Sequence, residues 1–279
     1  MSYRVIVDSC GELTEEMKKC GHFETASLTM QVDEYTIVDD ETFDQADFLM
    51  KVAASPNCPK SSCPSPEQYM KSFDSGTDHS YAVTLSAELS GSYNSAVLGK
   101  NLYLEKHPEA KVHVFNSRSA SIGETLIGLK IQEFEEAGMP FEEIVETVED
   151  YIEGQTTWFI LENLDTLRKN GRLSTVKAFV ATALKIKPIM GANSQGAIIQ
   201  LGQARGMNKA LVKMVDYIAQ KLEKPEERIL AISHCNCIDR AIILKEAILQ
   251  RLNLKDIIIL DTAGISSMYA NDGGVIVAC

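Results

Sequence analysis

Ser80-Tyr81-Ala82-Val83-Thr84-Leu85, followed by Leu89-Ser90-Gly91-Ser92-Tyr93-Asn94-Ser95-Ala96 and a helical run to Lys106, is the stretch that decides the fold class. A short apolar strand enters an uncharged, hydroxyl-rich corner and leaves it as a helix over 93–106. The same unit recurs on both sides. A helix over 67–74 precedes it, a strand over 111–116 and a helix over 120–138 follow, and Tyr3-Arg4-Val5-Ile6-Val7-Asp8-Ser9 opens the chain as a strand with a polar end. This alternation predicts an N-terminal α/β domain built on a parallel sheet. The corner itself is chemically informative. Ser90 sits where an N-cap hydroxyl and free backbone N–H groups converge, an arrangement that attracts anions without Lys or Arg. Ser61-Ser62-Cys63-Pro64-Ser65-Pro66 is a second such corner. Two of them predict a site for a small acid group.

Working outward, a helix is expected over 14–20 with Thr14 as its cap, strand-like runs over 26–32 and 35–38, and a helix near 43–54. The proline-rich segment 55–66 reads as irregular. After an amphipathic helix over 140–154 the style changes. Helices over 161–170, 175–185, 207–222 and 239–252 interleave with strands over 187–190, 198–202, 228–233, 256–261 and 274–278. The turn Asn193-Ser194-Gln195-Gly196 implies antiparallel pairing. The reading is therefore two domains: an α/β domain over 1–155, an α+β domain with a mixed or antiparallel sheet over 156–279, and a ligand cleft between them.

The net charge of −12 over 279 residues argues against a non-specific grip on nucleic acid or an anionic membrane. No apolar run approaches the roughly 20 residues of a membrane span. Seven cysteines without framework spacing read as free, reduced thiols, and the expectation is a cytoplasmic protein. Ser233-His234-Cys235-Asn236-Cys237 lacks the C-x-x-C partners of a zinc site and reads as strand-end packing. No phosphate loop, dinucleotide fingerprint or nucleophile elbow is present, and the five histidines pair with no nucleophile. Asp8 and Ser9 stand at the carboxyl edge of the sheet, where crevices form, and Ser117 follows another strand in the same way. Each also reads as a simple cap. Arg168, Lys169 and Arg172 crowd a helix end, either offsetting its dipole or facing an anionic partner; Arg205, Gly206 and Lys209 form a weaker counterpart.

In order along the chain, Val7-Asp8-Ser9, the 61–66 and 89–96 segments, Leu164-Asp165-Thr166-Leu167, Gly171-Arg172-Leu173-Ser174, Lys187-Pro188-Ile189 and Arg205-Gly206 resemble the bacterial DegV family of fatty-acid-binding proteins. The resemblance runs over essentially the whole chain. It implies a long-chain fatty acid buried between two domains, its carboxylate held near Ser61, Ser62, Ser90 and Gly91. It also implies a carrier with no cofactor and no catalysis of its own, which presents the carboxylate to a separate fatty acid kinase. Relatives often carry a histidine in a C-terminal His-Thr-Gly-Pro-Gly segment; its place falls on or near Ser267 here, so Ser267 is expected to assist the hydroxyls. Burial of about 14 methylenes at roughly 0.8 kcal/mol each supplies enough affinity without that histidine. Two rivals stand beside this reading. One is a phosphoryl-transfer or hydrolytic enzyme using Asp8, Ser9 and Ser117; the other is a ligand-sensing regulatory module docking through 168–172.

Overall fold

The computed structural model describes residues 1–173 and 185–279. The first half runs β1 (Tyr3–Asp8), α1 (Glu15–Lys19), β2 (Phe23–Ala26), β3 (Thr29–Val32), β4 (Tyr35–Val38), α2 (Gln45–Ala54), β5 (Lys60–Ser62), α3 (Pro66–Phe73), β6 (His79–Thr84), α4 (Ser92–Lys106), β7 (Lys111–Asn116), α5 (Ile122–Glu136) and α6 (Phe141–Gly154). Strands β2-β1-β6-β7 form a parallel sheet in that order. Both central strands are buried on both faces, as apolar runs without alternation require. A separate antiparallel sheet, β4-β3-β5, stands beside it.

The second half continues β8 (Thr157–Ile160), α7 (Asp165–Lys169), β9 (Ile186–Ala192), β10 (Ile198–Arg205), α8 (Met207–Lys221), β11 (Ile229–His234), α9 (Ile238–Leu249), β12 (Asp256–Asp261), α10 (Gly264–Ala270) and β13 (Val275–Ala278). Its sheet has the order β10-β9-β8-β13-β11-β12, antiparallel except for the β11–β12 pair. The chain is thus mixed α/β, with one parallel and one mixed sheet. The 193–196 turn closes the β9–β10 hairpin: Asn193 Oδ1 accepts the amides of Gln195 and Ala197, each at 3.0 Å. Helix α5 lies between the large sheets. Its Ile122 and Leu126 meet Ala231 and Ala278 of the second sheet, and its Ile127 and Ile131 meet the core of the first.

Several expectations are corrected. The 26–32 run breaks after Ala26 and feeds two sheets, because the Leu28 amide is drawn to Ser9 Oγ rather than to a ladder partner. Segment 55–66 is not wholly irregular. Its prolines flank Lys60–Ser62, whose unencumbered backbone pairs with β3 as β5. The helix expected over 161–170 shrinks to Asp165–Lys169, and Thr157–Ile160, assigned to no element from the sequence, forms the inner strand β8. Helix α10, with its Gly and Ser residues, was not anticipated. Most of the helix expected over 175–185, and Ser174, lie outside the described residues.

Helices α3 and α4 cross so closely that Gly99 has no room for a side chain: a Cβ there would lie 2.6 Å from the Pro66 carbonyl and 2.8 Å from Tyr69 Cβ. Gly99→Ala is expected to destabilise the protein by about 1–3 kcal/mol. Equilibrium urea unfolding checks this, and an unchanged midpoint would show that the crossing yields freely. Among the described residues, no helix is long and apolar enough to cross a membrane.

Candidate ligand site

Loops at the carboxyl edge of the parallel sheet, the face of the second sheet and helix α10 enclose a cavity of about 720 Å³, part of it open to solvent. Leu85, Leu89, Phe159, Leu161, Ile265 and Ile276 supply much of its wall. Wall hydroxyls are turned into internal bonds. Ser119 Oγ and Thr157 Oγ1 are 2.6 Å apart, Ser266 donates to the Cys10 carbonyl at 2.8 Å, and Ser121 donates to Glu12. What remains facing the space is mainly carbon, which suits an apolar ligand.

One end differs. Arg172 is the one Lys or Arg among the described wall residues; its Nε donates to the Leu89 carbonyl at 3.0 Å, and its guanidinium lies 5.9 Å from the Tyr269 ring centre. Tyr269 Oη is 3.3 Å from Ser61 Oγ. The two hydroxyl-rich segments meet there: a Cβ on Gly91 would lie 3.2 Å from Cys63 Sγ. Asn170 ties the neighbouring turn to the Pro59 carbonyl at 2.9 Å. Ser61, Ser62, Ser90 and Gly91 therefore gather beside the cavity's polar end rather than in its wall, with Ser62 and Gly91 exposed. Ser90 is not the cap of α4. Gly91 holds that position, and Ser90 Oγ instead accepts the Ser92 amide at 3.2 Å.

Other sequence-derived assignments move. Ser267 points away from the cavity, within 2.7 Å of Thr262 Oγ1 and accepting a bond from Gln45 Nε2. Helical phase explains this: α10 turns Ile265, Ser266, Tyr269 and Ala270 to the cavity and Ser267 toward α2. Tyr269 is the α10 residue that reaches Ser61. Arg172, read as a partner contact, is part of the wall, whereas Arg168 is exposed and pairs with Asp165 at 3.2 Å. Arg205 is exposed at the end of β10. Asp8, Ser9 and Ser117 lie at the anticipated strand ends but do not line the cavity, because neighbouring amides engage them: Cys10 and Leu85 bond Asp8, Leu28 bonds Ser9, and Ser119 bonds Ser117. The hydrolytic crevice drawn from these three residues is not formed in this cavity.

Behind the wall stands a group of acids, of which the sequence pointed to Asp8 alone and not to Glu12, Asp39 or Glu124. Asp8, Glu12, Asp39 and Glu124 are all buried, and no ion pair involving them is found among the described residues. Burial raises all four: Glu12 to about 7 and Asp39 to about 6, with Asp8 and Glu124 also pushed up. Asp39 caps α10 by accepting the Gly264 and Ile265 amides at 2.7 and 2.8 Å, and this opposes its rise. Isolated acids in otherwise ordinary segments carry no spacing signal, so only tertiary placement reveals them.

The sequence model described as that of the uncharacterised proteins of the DegV family matches residues 2–278. The chain belongs to the DegV family. A DegV domain-containing protein of Streptococcus pneumoniae is 36% identical over 256 residues, covering 91% of this chain and 89% of the relative. Among solved structures, a DegV family protein from Ruminococcus gnavus, refined with vaccenic acid, is 58% identical with a TM-score of 0.98 and full coverage of both chains (100% each). The Streptococcus pneumoniae Fatty Acid Kinase (Fak) B3 protein, loaded with linoleic acid, is 32% identical with a TM-score of 0.91, covering 100% of this chain and 99% of its own. A DegV protein from Eubacterium eligens, loaded with heptadecanoic acid, is 30% identical with a TM-score of 0.91 and covers 99% of each chain. Against this DegV background, the cationic group in the described cavity wall is Arg172, with Tyr269 beside it.

Proposed function

We propose that this DegV chain binds a long-chain fatty acid in the apolar cavity, with the carboxylate at the end where Ser61, Ser90, Gly91, Tyr269 and Arg172 converge. The observation that carries the reading is a carbon-lined space with its hydroxyls satisfied internally and its one described cation at a single end. The ligands in the Ruminococcus gnavus, Eubacterium eligens and Streptococcus pneumoniae relatives support it. A carboxylate placed there gains charge-assisted bonds of roughly 1.5–3 kcal/mol each, and the tail contributes most of the affinity. Ser62 stands at the outer margin of this site.

The cavity is walled by loops beyond the carboxyl edge of the parallel sheet and by the face of the second sheet, which supports two domains, 1–155 and 156–279, with the ligand between them. The protein acts as a carrier without catalysis of its own. It presents the acyl carboxylate to a separate fatty acid kinase, a reading supported by the similar Fatty Acid Kinase (Fak) B3 protein of Streptococcus pneumoniae. Its cysteines, all free, suit a reducing cytoplasm. Protein purified from a lipid-replete host is expected to yield about one long-chain fatty acid per chain on extraction and mass spectrometry. No acyl ligand, even after incubation with oleate, would sink the reading. The double variant Ser61→Ala/Ser90→Ala should weaken oleate binding by about tenfold or more, with unchanged affinity rejecting the head-group assignment.

A further inference from the structure

One buried carboxylate pins both ends of the loop that carries the proposed head-group site. Asp8 Oδ2 accepts the Leu85 amide at 2.9 Å and the Ser92 hydroxyl at 2.6 Å, and Oδ1 accepts the Cys10 amide at 3.1 Å. Between Leu85 and Ser92 lie Leu89, Ser90 and Gly91. The Ser92 amide reaches Ser90 Oγ, and the Leu89 carbonyl holds Arg172. The Ser92 hydroxyl gives its single hydrogen to Asp8, so Tyr69 Oη, 2.6 Å away, donates to Ser92. The chain of bonds runs from α3 through Ser92 to β1.

Opposite Asp8 stands Glu124 of α5, fully buried, with neither carboxyl oxygen accepting a hydrogen bond. Ligand-type atoms of Asp8, Cys10 and Glu124 lie within 4.8 Å of one another. Two carboxylates this close in a dry interior do not both ionise. Asp8 already accepts three donors, so the charge rests on Asp8 and the proton on Glu124.

We propose that Asp8 and Glu124 are positioning residues of the ligand site: Glu124, as the neutral acid, donates to the Asp8 carboxylate, which holds the 85–92 loop, and through it Ser90, Gly91 and Arg172, around the ligand's head group. This rests on the fatty-acid reading. The titratable groups facing the pair are Cys10 and Glu12 beyond β1, Asp39 ahead of α2 and Tyr69 from α3, none of them cationic. Burial and the neighbouring Asp8 raise the Glu124 pKa. The arrangement needs Asp8 ionised and Glu124 neutral: it is lost at the alkaline end as pH climbs through the raised Glu124 value, and at the acid end once Asp8, itself pushed up by burial, takes up a proton.

The test measures oleate affinity across pH, amide hydrogen exchange over 85–92 and metal content in the full chain and its variants. Glu124→Ala and Asp8→Asn are expected to weaken oleate binding about ten- to a hundredfold and to speed exchange at Leu85 and Ser92. Glu124→Gln, which keeps a donor toward Asp8 but does not titrate, should rescue affinity and remove the alkaline loss. Should Asp8→Asn fail to fold, the Glu124 pair decides the matter. The proposal is overturned by unchanged affinity and exchange in Glu124→Ala, or by a Glu124→Gln protein as weak as Glu124→Ala. It is equally overturned by a stoichiometric divalent metal in the wild type that Glu124→Gln abolishes, since Asp8, Cys10 and Glu124 would then be ligands. If the wild type binds no oleate, the fatty-acid reading fails by itself, and exchange over 85–92 still decides whether the pair pins the loop.

Discussion

Ala120→Trp is expected to abolish long-chain fatty-acid binding while leaving the protein folded. Ala120 lies in the cavity wall, on the loop that leads into α5, and is only half buried. The cavity of about 720 Å³ that it borders offers room for an indole, unlike the α3–α4 crossing. That indole would occupy the room of several methylenes. Excluding about eight of them removes roughly 6 kcal/mol, or about 10⁴ in affinity. The comparison is oleate affinity in the variant and the wild type, with circular dichroism and thermal melting to show that the fold persists. A folded variant that binds oleate as tightly as the wild type would place the acyl chain elsewhere. A short acid such as octanoate should lose much less, because less of its tail competes with the new side chain.

Stability of the ligand-free protein should fall as pH rises from mildly acidic to mildly alkaline. Glu12, raised to about 7, and Asp39, raised to about 6, hold their protons more tightly folded than unfolded. The stability each contributes is fully present below its ordinary carboxylate value and is lost as pH rises through its folded value. Two such shifts amount to about 3 kcal/mol each on the scale of 1.4 kcal/mol per unit, and Asp8 and Glu124 act in the same direction. Denaturant unfolding at about pH 5 and about pH 8 should therefore give the higher midpoint at the lower pH. Glu12→Gln, which accepts the Ser121 hydroxyl but carries no titrating proton, should remove a large share of the difference. An identical pH dependence in that variant would show that Glu12 is not the group responsible.

Fold and site were legible to different depths. Apolar runs such as Tyr3–Asp8 and His79–Thr84 needed only the absence of alternation to declare buried parallel strands, and Asn193-Ser194-Gln195-Gly196 declared a hairpin. The 60–62 strand was hidden by the prolines around it, and β8 went unassigned because a short apolar run lacks a decisive period. The hydroxyl corners were visible as composition. Their meeting was not: nothing in the local sequence says that Cys63 lies against Gly91, or that Tyr269 reaches Ser61.

Sequence by itself determined the kind of protein: family, the alternation of elements, an acidic chain without catalytic signatures, and two uncharged segments suited to an acid group. Those are properties of local pattern and residue chemistry. Tertiary structure alone decided which groups face the ligand space. Helical phase turned Ser267 away and Tyr269 inward, the turn after α7 folded Arg172 into the wall, and packing around the β1 end buried Asp8, Glu12, Asp39 and Glu124 together. A side chain's chemistry is written in its sequence, but its solvation and its neighbours are set by segments far away in the chain.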